Sequence, residues 1–289
     1  MAITLGPNRY GKAETRLVHV DRGGDEHRLT DLNVSVALSG DLDATHHTGD
    51  NGGVLPTDTM KNTVYAFARE HGVGQPEEFG LRLARHFVAT QPQIHGARVG
   101  IEAYGWHRLG PHSFTRDGAE TRLATVVVDG AGERVASGLT DLVLLNSTAS
   151  EFHGFPRDRY TTLVETTDRI LATAVQARWR HLSADTDGAD TDFAASYAGV
   201  REALVAGFAR TYSLSLQQTL LAMGTRALQA RPEVAEIRLT LPNRHHLLVN
   251  LAPFGLDNPN EVYVAADRPY GLIEGTVGRD DVAPATGEW

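Results

Sequence analysis

Near its start the chain alternates apolar and polar residues, from Arg16 to Asp21 and again from Leu29 to Leu38, where Leu32, Val34, Val36 and Leu38 fall at every second position. Period-two alternation places such side chains on one face of an extended strand, so these segments read as half-buried strands joined at Gly23-Gly24. The rhythm changes after the Gly-rich stretch Asp50 to Gly53. Pro56-Thr57-Asp58 precedes Met60, Val64 and Phe67 at helical spacing, which predicts a capped amphipathic helix. A second helix opens at Pro76 with Glu77 and Glu78 in its first turn, carries Phe79, Leu83 and Phe87 along one face, and stops at Pro92. Alternation then returns through Val99, Ile101 and Ala103 and over Thr121 to Val128, with a turn at Asp129-Gly130.

The second half repeats this order. Strand-like Leu139 to Leu145 and Ile170 to Trp179 precede helical stretches over Phe193 to Tyr212 and Leu214 to Ala230, which Pro232 ends. Val234 to Leu241 and His246 to Leu251 alternate again. Strands, two helices and strands, twice over, predict an α+β fold of duplicated architecture, with antiparallel sheets carrying paired helices on one face. Such sheets leave strand edges, and oligomerisation is the natural way to cover them.

Composition narrows the chemistry. The 289 residues are 41% apolar and 22% charged, ordinary for a globular chain with a proper core. The absence of cysteine excludes disulfides, thiolate metal ligation and a Cys nucleophile. A formal net charge of -9 disfavours a nucleic-acid partner. The N-terminus has no secretory pattern, no apolar run suits a membrane span, and the C-terminus has no peroxisomal address, so a cytoplasmic protein is expected. If the substrate is a small anion, local cationic groups must outweigh the negative global field at close range.

Common motifs are missing. Asp129-Gly130-Ala131-Gly132 lacks the third glycine of a dinucleotide loop and suits a hairpin turn better; there is no Walker loop and no nucleophile elbow. His46, His47, His107 and His112 read as loop residues rather than metal ligands.

What stands out is Leu142 to Arg169. A strand ending in small hydroxyl residues leads to Phe152, then Phe155, Tyr160, Leu163 and Arg169, with two, four, two and five residues between successive members. This spacing resembles the signature of urate oxidases. The likeness extends over nearly the whole chain, through Tyr10-Gly11-Lys12, Thr57 to Thr63, Ser215-Leu216-Gln217, Leu241 to His245 and Gly271-Leu272-Ile273. Asn146 stands where the family usually has lysine, and His153 where an aromatic is common. The residues from Asp281 onward look like a tail.

The resemblance implies tandem tunnelling-fold repeats, 1–137 and 138–289, whose barrel closes by oligomerisation, in the family's case as a homotetramer with sites shared between subunits. It also implies a substrate, uric acid, a co-substrate, dioxygen, and no cofactor. Uric acid is a flat anion with a polar rim. Phe152 would stack on its face; Arg169 would offer a two-pronged donor to the rim, and Gln217 an acceptor and a donor. The Leu216 amide adds a rim donor, and Ile273 closes the pocket. Lys12, Thr57 and His245 are implied as catalytic proton carriers, Asn243 and Thr57 as the holders of dioxygen, and Asp58 as a backbone contact to Thr57 or the substrate edge. The electron-rich purine carries the redox chemistry itself.

Ordinary alternatives exist for each residue. Lys12 could be a solvated lysine, Arg169 could pair with Asp158 or Asp168 in a strand, Phe152 could be core, and Gln217 could cap a helix. At the level of function, the alternatives are a cyclohydrolase-like pterin enzyme, disfavoured by the missing cysteine, and an inactive purine-binding protein, which would not need Lys12, Thr57 and His245.

Overall fold

The computed structural model describes residues 2–184 and 191–284, apart from the side chain of Asp267. The expected tail therefore lies partly outside the described residues. The strands are β1 (Tyr10–Asp21), β2 (Arg28–Gly40), β3 (Ile94–Arg108), β4 (Phe114–Asp129), β5 (Gly132–Asn146), β6 (Leu171–His181), β7 (Val234–Leu248) and β8 (Tyr263–Gly278). They are hydrogen-bonded neighbours in chain order, so among the described residues β1 and β8 each have one partner strand. The helices are α1 (Asp43–Thr48), α2 (Thr57–His71), α3 (Pro76–Thr90), α4 (Phe193–Arg210) and α5 (Leu216–Ala230). None is long and apolar enough to cross a membrane.

Among the described residues the chain divides into two compact units, the first formed by residues 2–139, 179–184 and 191–196, the second by Thr140–Arg178 and Tyr197–Pro284. In the first unit, β1, β2, β3 and β4 pair antiparallel, and the alternation seen in the sequence becomes a buried face: Leu32, Val34, Val36 and Leu38 are all at most 3% exposed. Helices α2 and α3 pack there through Met60, Val64, Phe79, Leu83 and Phe87. At Gly80 the approach is close, since an added Cβ would stand 2.8 Å from Val126 Cγ2. The start of α3 is held by a capping box between Gln75 and Glu78 and by a buried polar group. Arg122 donates to the carboxylate of Glu77 at 2.8 Å, Ser137 donates to the same carboxylate, and His181 Nε2 lies 2.9 Å from the Ser137 hydroxyl. Burial raises the Glu77 pKa against the pull of Arg122.

The second unit repeats the principle. Strands β7 and β8 pair antiparallel, and α5 lies on them with Leu216, Leu220, Met223 and Ala227 buried. Its close point is Gly224, whose added Cβ would meet Val277 Cγ2 at 2.5 Å.

Several elements depart from expectation. The β3 and β4 strands run out to Arg108 and back from Phe114, so His107 is a strand residue and not a loop residue. His46 and His47 lie on the short helix α1, which has no buried residue and hence no apolar rhythm to reveal it. Arg169 precedes β6 instead of lying in it. The two strands expected around Pro242 are one, β7, and β8 was not anticipated.

Candidate active site

Between β5 and β6 the chain from Ser147 to Ile170 has little regular structure, yet it is pinned at both ends. Phe152 and Thr166 form an antiparallel bridge, with N–H···O contacts of 2.8 and 3.1 Å. Ser150 and Ser213 form a parallel bridge, in which the Glu151 amide donates to Ser213 O and the Ser213 amide donates to Ala149 O, each at 2.9 Å. Gly154 turns the segment back at φ +72°, where a side chain would be strained, and its amide donates to Glu165 Oε1 at 3.0 Å.

The half-buried rings of Phe152 and Phe155 stack, centroids 5.1 Å apart and planes 16° from parallel. Arg169 lies over Phe152, its Cζ 5.2 Å from the ring centroid, and donates through Nε to Ser150 Oγ at 3.1 Å. Burial pushes the guanidinium pKa down from its usual value. The acids weighed above as partners of Arg169 are engaged locally: Asp158 accepts from the Tyr160 amide and the Thr161 hydroxyl, and Asp168 accepts from Thr148 at 2.8 Å.

Phe152 and Arg169 line a cavity of about 270 Å³ together with Asn243 and His245. The latter two come from β7, where the register with β8 shifts between Asn243 and His245. One residue of β7 there faces four of β8, so the pairing is interrupted between Asn243 and His245. Ile273 is paired with Leu241 on the neighbouring strand, two residues before Asn243.

Leu216 and Gln217 open α5. Capping there belongs to neighbours: Ser215 Oγ accepts the Gln218 amide at 3.2 Å, and Gln218 Oε1 accepts the Leu214 amide at 2.8 Å. Gln217 is therefore not the cap, and its side chain is exposed. Leu216 is buried, 2% exposed, so what it can offer a ligand is its backbone.

Lys12, Thr57 and Asp58 lie in the first unit. Lys12 is half-buried on β1, at the edge of a register shift between Lys12 and Thr15. Thr57 and Asp58 are the first residues of α2, whose preceding Pro56 supplies no side-chain cap. Helical hydrogen bonds there begin at the Thr59 amide, which donates to Pro56 O at 2.9 Å. The amides of Thr57 and Asp58 thus precede the first internal bond, as at any helix start. The Asp58 carboxylate is held by Lys61 and by Asn62, the latter at 2.9 Å. These bonds, with a smaller contribution from Lys12, lower its pKa.

Sequence reasoning missed Ser150, Ser213 and Thr219. All are 0% exposed, and the Thr219 hydroxyl donates to Ser213 Oγ at 2.8 Å. Ser150 closes a run of small hydroxyl residues of the kind loops also show, and Ser213 and Thr219 stand singly in the sequence. Among the described residues no three His, Asp or Glu side chains gather as a metal-binding group.

Comparison with known proteins agrees over nearly the whole length. A family model described as uricase matches residues 8–127 and 135–274. The uricase of Arthrobacter globiformis is 51% identical over 280 residues, spanning 96% of this chain and 91% of that protein; that of Dictyostelium discoideum is 37% identical, spanning 96% and 98%. A crystal structure of the Arthrobacter globiformis uricase superposes with a TM-score of 0.95 over 99% of this chain and 98% of that one, at 50% identity. Family model, relatives and fold agree, and the chain belongs to the uricase family.

Proposed function

We propose that this chain is a urate oxidase, converting uric acid, dioxygen and water to 5-hydroxyisourate and hydrogen peroxide. Two electrons leave the purine and reduce dioxygen to peroxide, and water supplies the new hydroxyl oxygen at C5. The observation that carries this reading is the meeting of Phe152, Arg169, Asn243 and His245 on one cavity in a member of the uricase family.

Each residue type suits its task. Phe152 stacks on the purine face, Arg169 and Gln217 grip opposite parts of the rim, the Leu216 amide adds a donor, and Ile273 closes the apolar side. Lys12 withdraws a proton through the Thr57 hydroxyl, making the purine electron-rich enough to reduce dioxygen, and His245 handles the second proton near neutral pH. Asn243 and Thr57 hold dioxygen, and later water, over the ring; Asp58 contributes its backbone. The purine supplies the electrons, so the reaction runs without a cofactor.

In this reading each site is shared. Lys12, Thr57 and Asp58 of one copy complete the site built from Phe152, Arg169, Leu216, Gln217, Asn243, His245 and Ile273 of another, across a two-fold interface of a homotetramer that also covers the edges of β1 and β8. The protein works in the cytoplasm. The deciding assay follows urate's ultraviolet absorbance in air and peroxide release together. Loss of absorbance with matching peroxide is expected; tight urate binding without turnover would leave only a purine binder.

A further inference from the structure

Arg169 meets Ser150 twice. Its amide donates to the Ser150 carbonyl at 2.9 Å, and its Nε donates to the Ser150 hydroxyl at 3.1 Å. A guanidinium plane contains both the Cδ–Nε and the Nε–H bonds, so for a given placement of Cδ a fixed Nε–H direction sets the plane that holds the two terminal amino groups. With Nε engaged by Ser150, those terminal groups are the donors that remain for an occupant of the cavity Arg169 lines. The acceptor is itself immobile: Ser150 is 0% exposed, and its bridge to Ser213 ties it to the segment that enters α5. Thr219, one turn into that helix, donates to Ser213 Oγ, and Ser213 Oγ donates to Ser215 O at 3.1 Å. The Ser150 hydroxyl, the backbone bridge to Ser213 and the Ser213 hydroxyl thus link the base of Arg169 to the helix start that carries Gln217.

We propose that Ser150 is a positioning residue for urate binding: it sets the guanidinium plane of Arg169 relative to the Phe152 ring and to Gln217, and so fixes the spacing of the grip on the substrate rim. This rests on the reading of Arg169 as the residue that holds urate. The hydroxyl touches no substrate. It acts through the preorganisation of a bidentate donor, whose value depends on angle as much as on charge.

The test is a double-mutant cycle of Ser150→Ala and Arg169→Lys in the intact protein, with urate binding measured under argon, where no dioxygen is present to consume it. Lysine keeps the charge but has no Nε fork to orient. Ser150→Ala is expected to weaken urate binding roughly ten-fold with Arg169 present and less than two-fold with lysine in its place. In air, KM for urate rises by more than kcat falls. Ser150→Cys keeps a side chain of similar size with a weak acceptor, and it gives the same cycle should the alanine variant not fold. Unchanged urate affinity in Ser150→Ala, beside a weakened Arg169→Lys, overturns the proposal alone. Equal losses in both backgrounds overturn it too, since the hydroxyl would then act on the fold and not through the guanidinium. Unchanged affinity in Arg169→Lys overturns both the proposal and the reading beneath it.

Discussion

The starts of α2 and α5 solve opposite problems with the same geometry. Helix α5 is capped by its own side chains, Ser215 and Gln218, which leaves Gln217 exposed with nothing to do for the helix. Helix α2 has no side-chain cap; its Asp58 carboxylate turns to Lys61 and Asn62, and the amides of Thr57 and Asp58 stay ahead of the first helical bond. One helix start offers a ligand a side chain and the other offers backbone donors and a hydroxyl. In the proposed reading, each helix N-terminus joins the site in whichever way its cap leaves open.

The proposed division into a relay and a grip can be broken most directly at Lys12. Lys12→Met is expected to lower kcat by roughly two to four orders of magnitude, the usual worth of a positioned base, while anaerobic urate binding stays near wild type. Arg169→Ala should instead act mainly on KM, costing about 2 to 4 kcal/mol for the loss of a bidentate charged contact in a desolvated pocket. Identical kinetic signatures for the two variants would erase the division.

Refolding equal amounts of Lys12→Ala and Arg169→Ala together asks whether relay and grip come from different copies. Random pairing makes about half of the dimers mixed, and one of the two sites in each mixed dimer is intact, so roughly a quarter of the sites should recover. Mixed oligomers without activity would show that each site lies within one chain. The finest contrast is on α5. Gln217→Ala should weaken urate binding without moving Tm, whereas Gln218→Ala should lower stability by about 0.5 to 1 kcal/mol and leave binding alone. Thermal melts and anaerobic titrations of the pair would separate a cap from a contact.

The sheet faces and paired helices were legible because burial wrote them as rhythm: period two in Leu32 to Leu38, and helical spacing in Met60, Val64 and Phe67. Strand β8 was not, because Pro269, Gly271, Gly275 and Gly278 interrupt it with residues that read as turns. Strand β7 was split in the reading because Pro242 resembles a stop, although the strand continues opposite Leu272. The residues assigned to urate were found by motif spacing; their arrangement was not, since Ser150 and Ser213 meet across more than sixty positions of sequence. A single small hydroxyl residue carries no sign in sequence of the guanidinium it faces.

Gly80 and Gly224, the points where α3 and α5 touch their strands, place a limit on engineering this protein. A helix-propensity scale would favour replacing each with alanine, for a gain of about 1 kcal/mol. Here the new methyl would arrive 2.8 Å from Val126 Cγ2 in one case and 2.5 Å from Val277 Cγ2 in the other. Both neighbours are β-branched and stiff at χ1, so the helix itself must give way. Because α5 also carries Gln217 at its first turn, the same displacement would move one side of the proposed urate site. A thermostabilising design that treats these glycines as weak spots would trade away alignment at a distance, and library screens on this scaffold are best run with both positions held fixed.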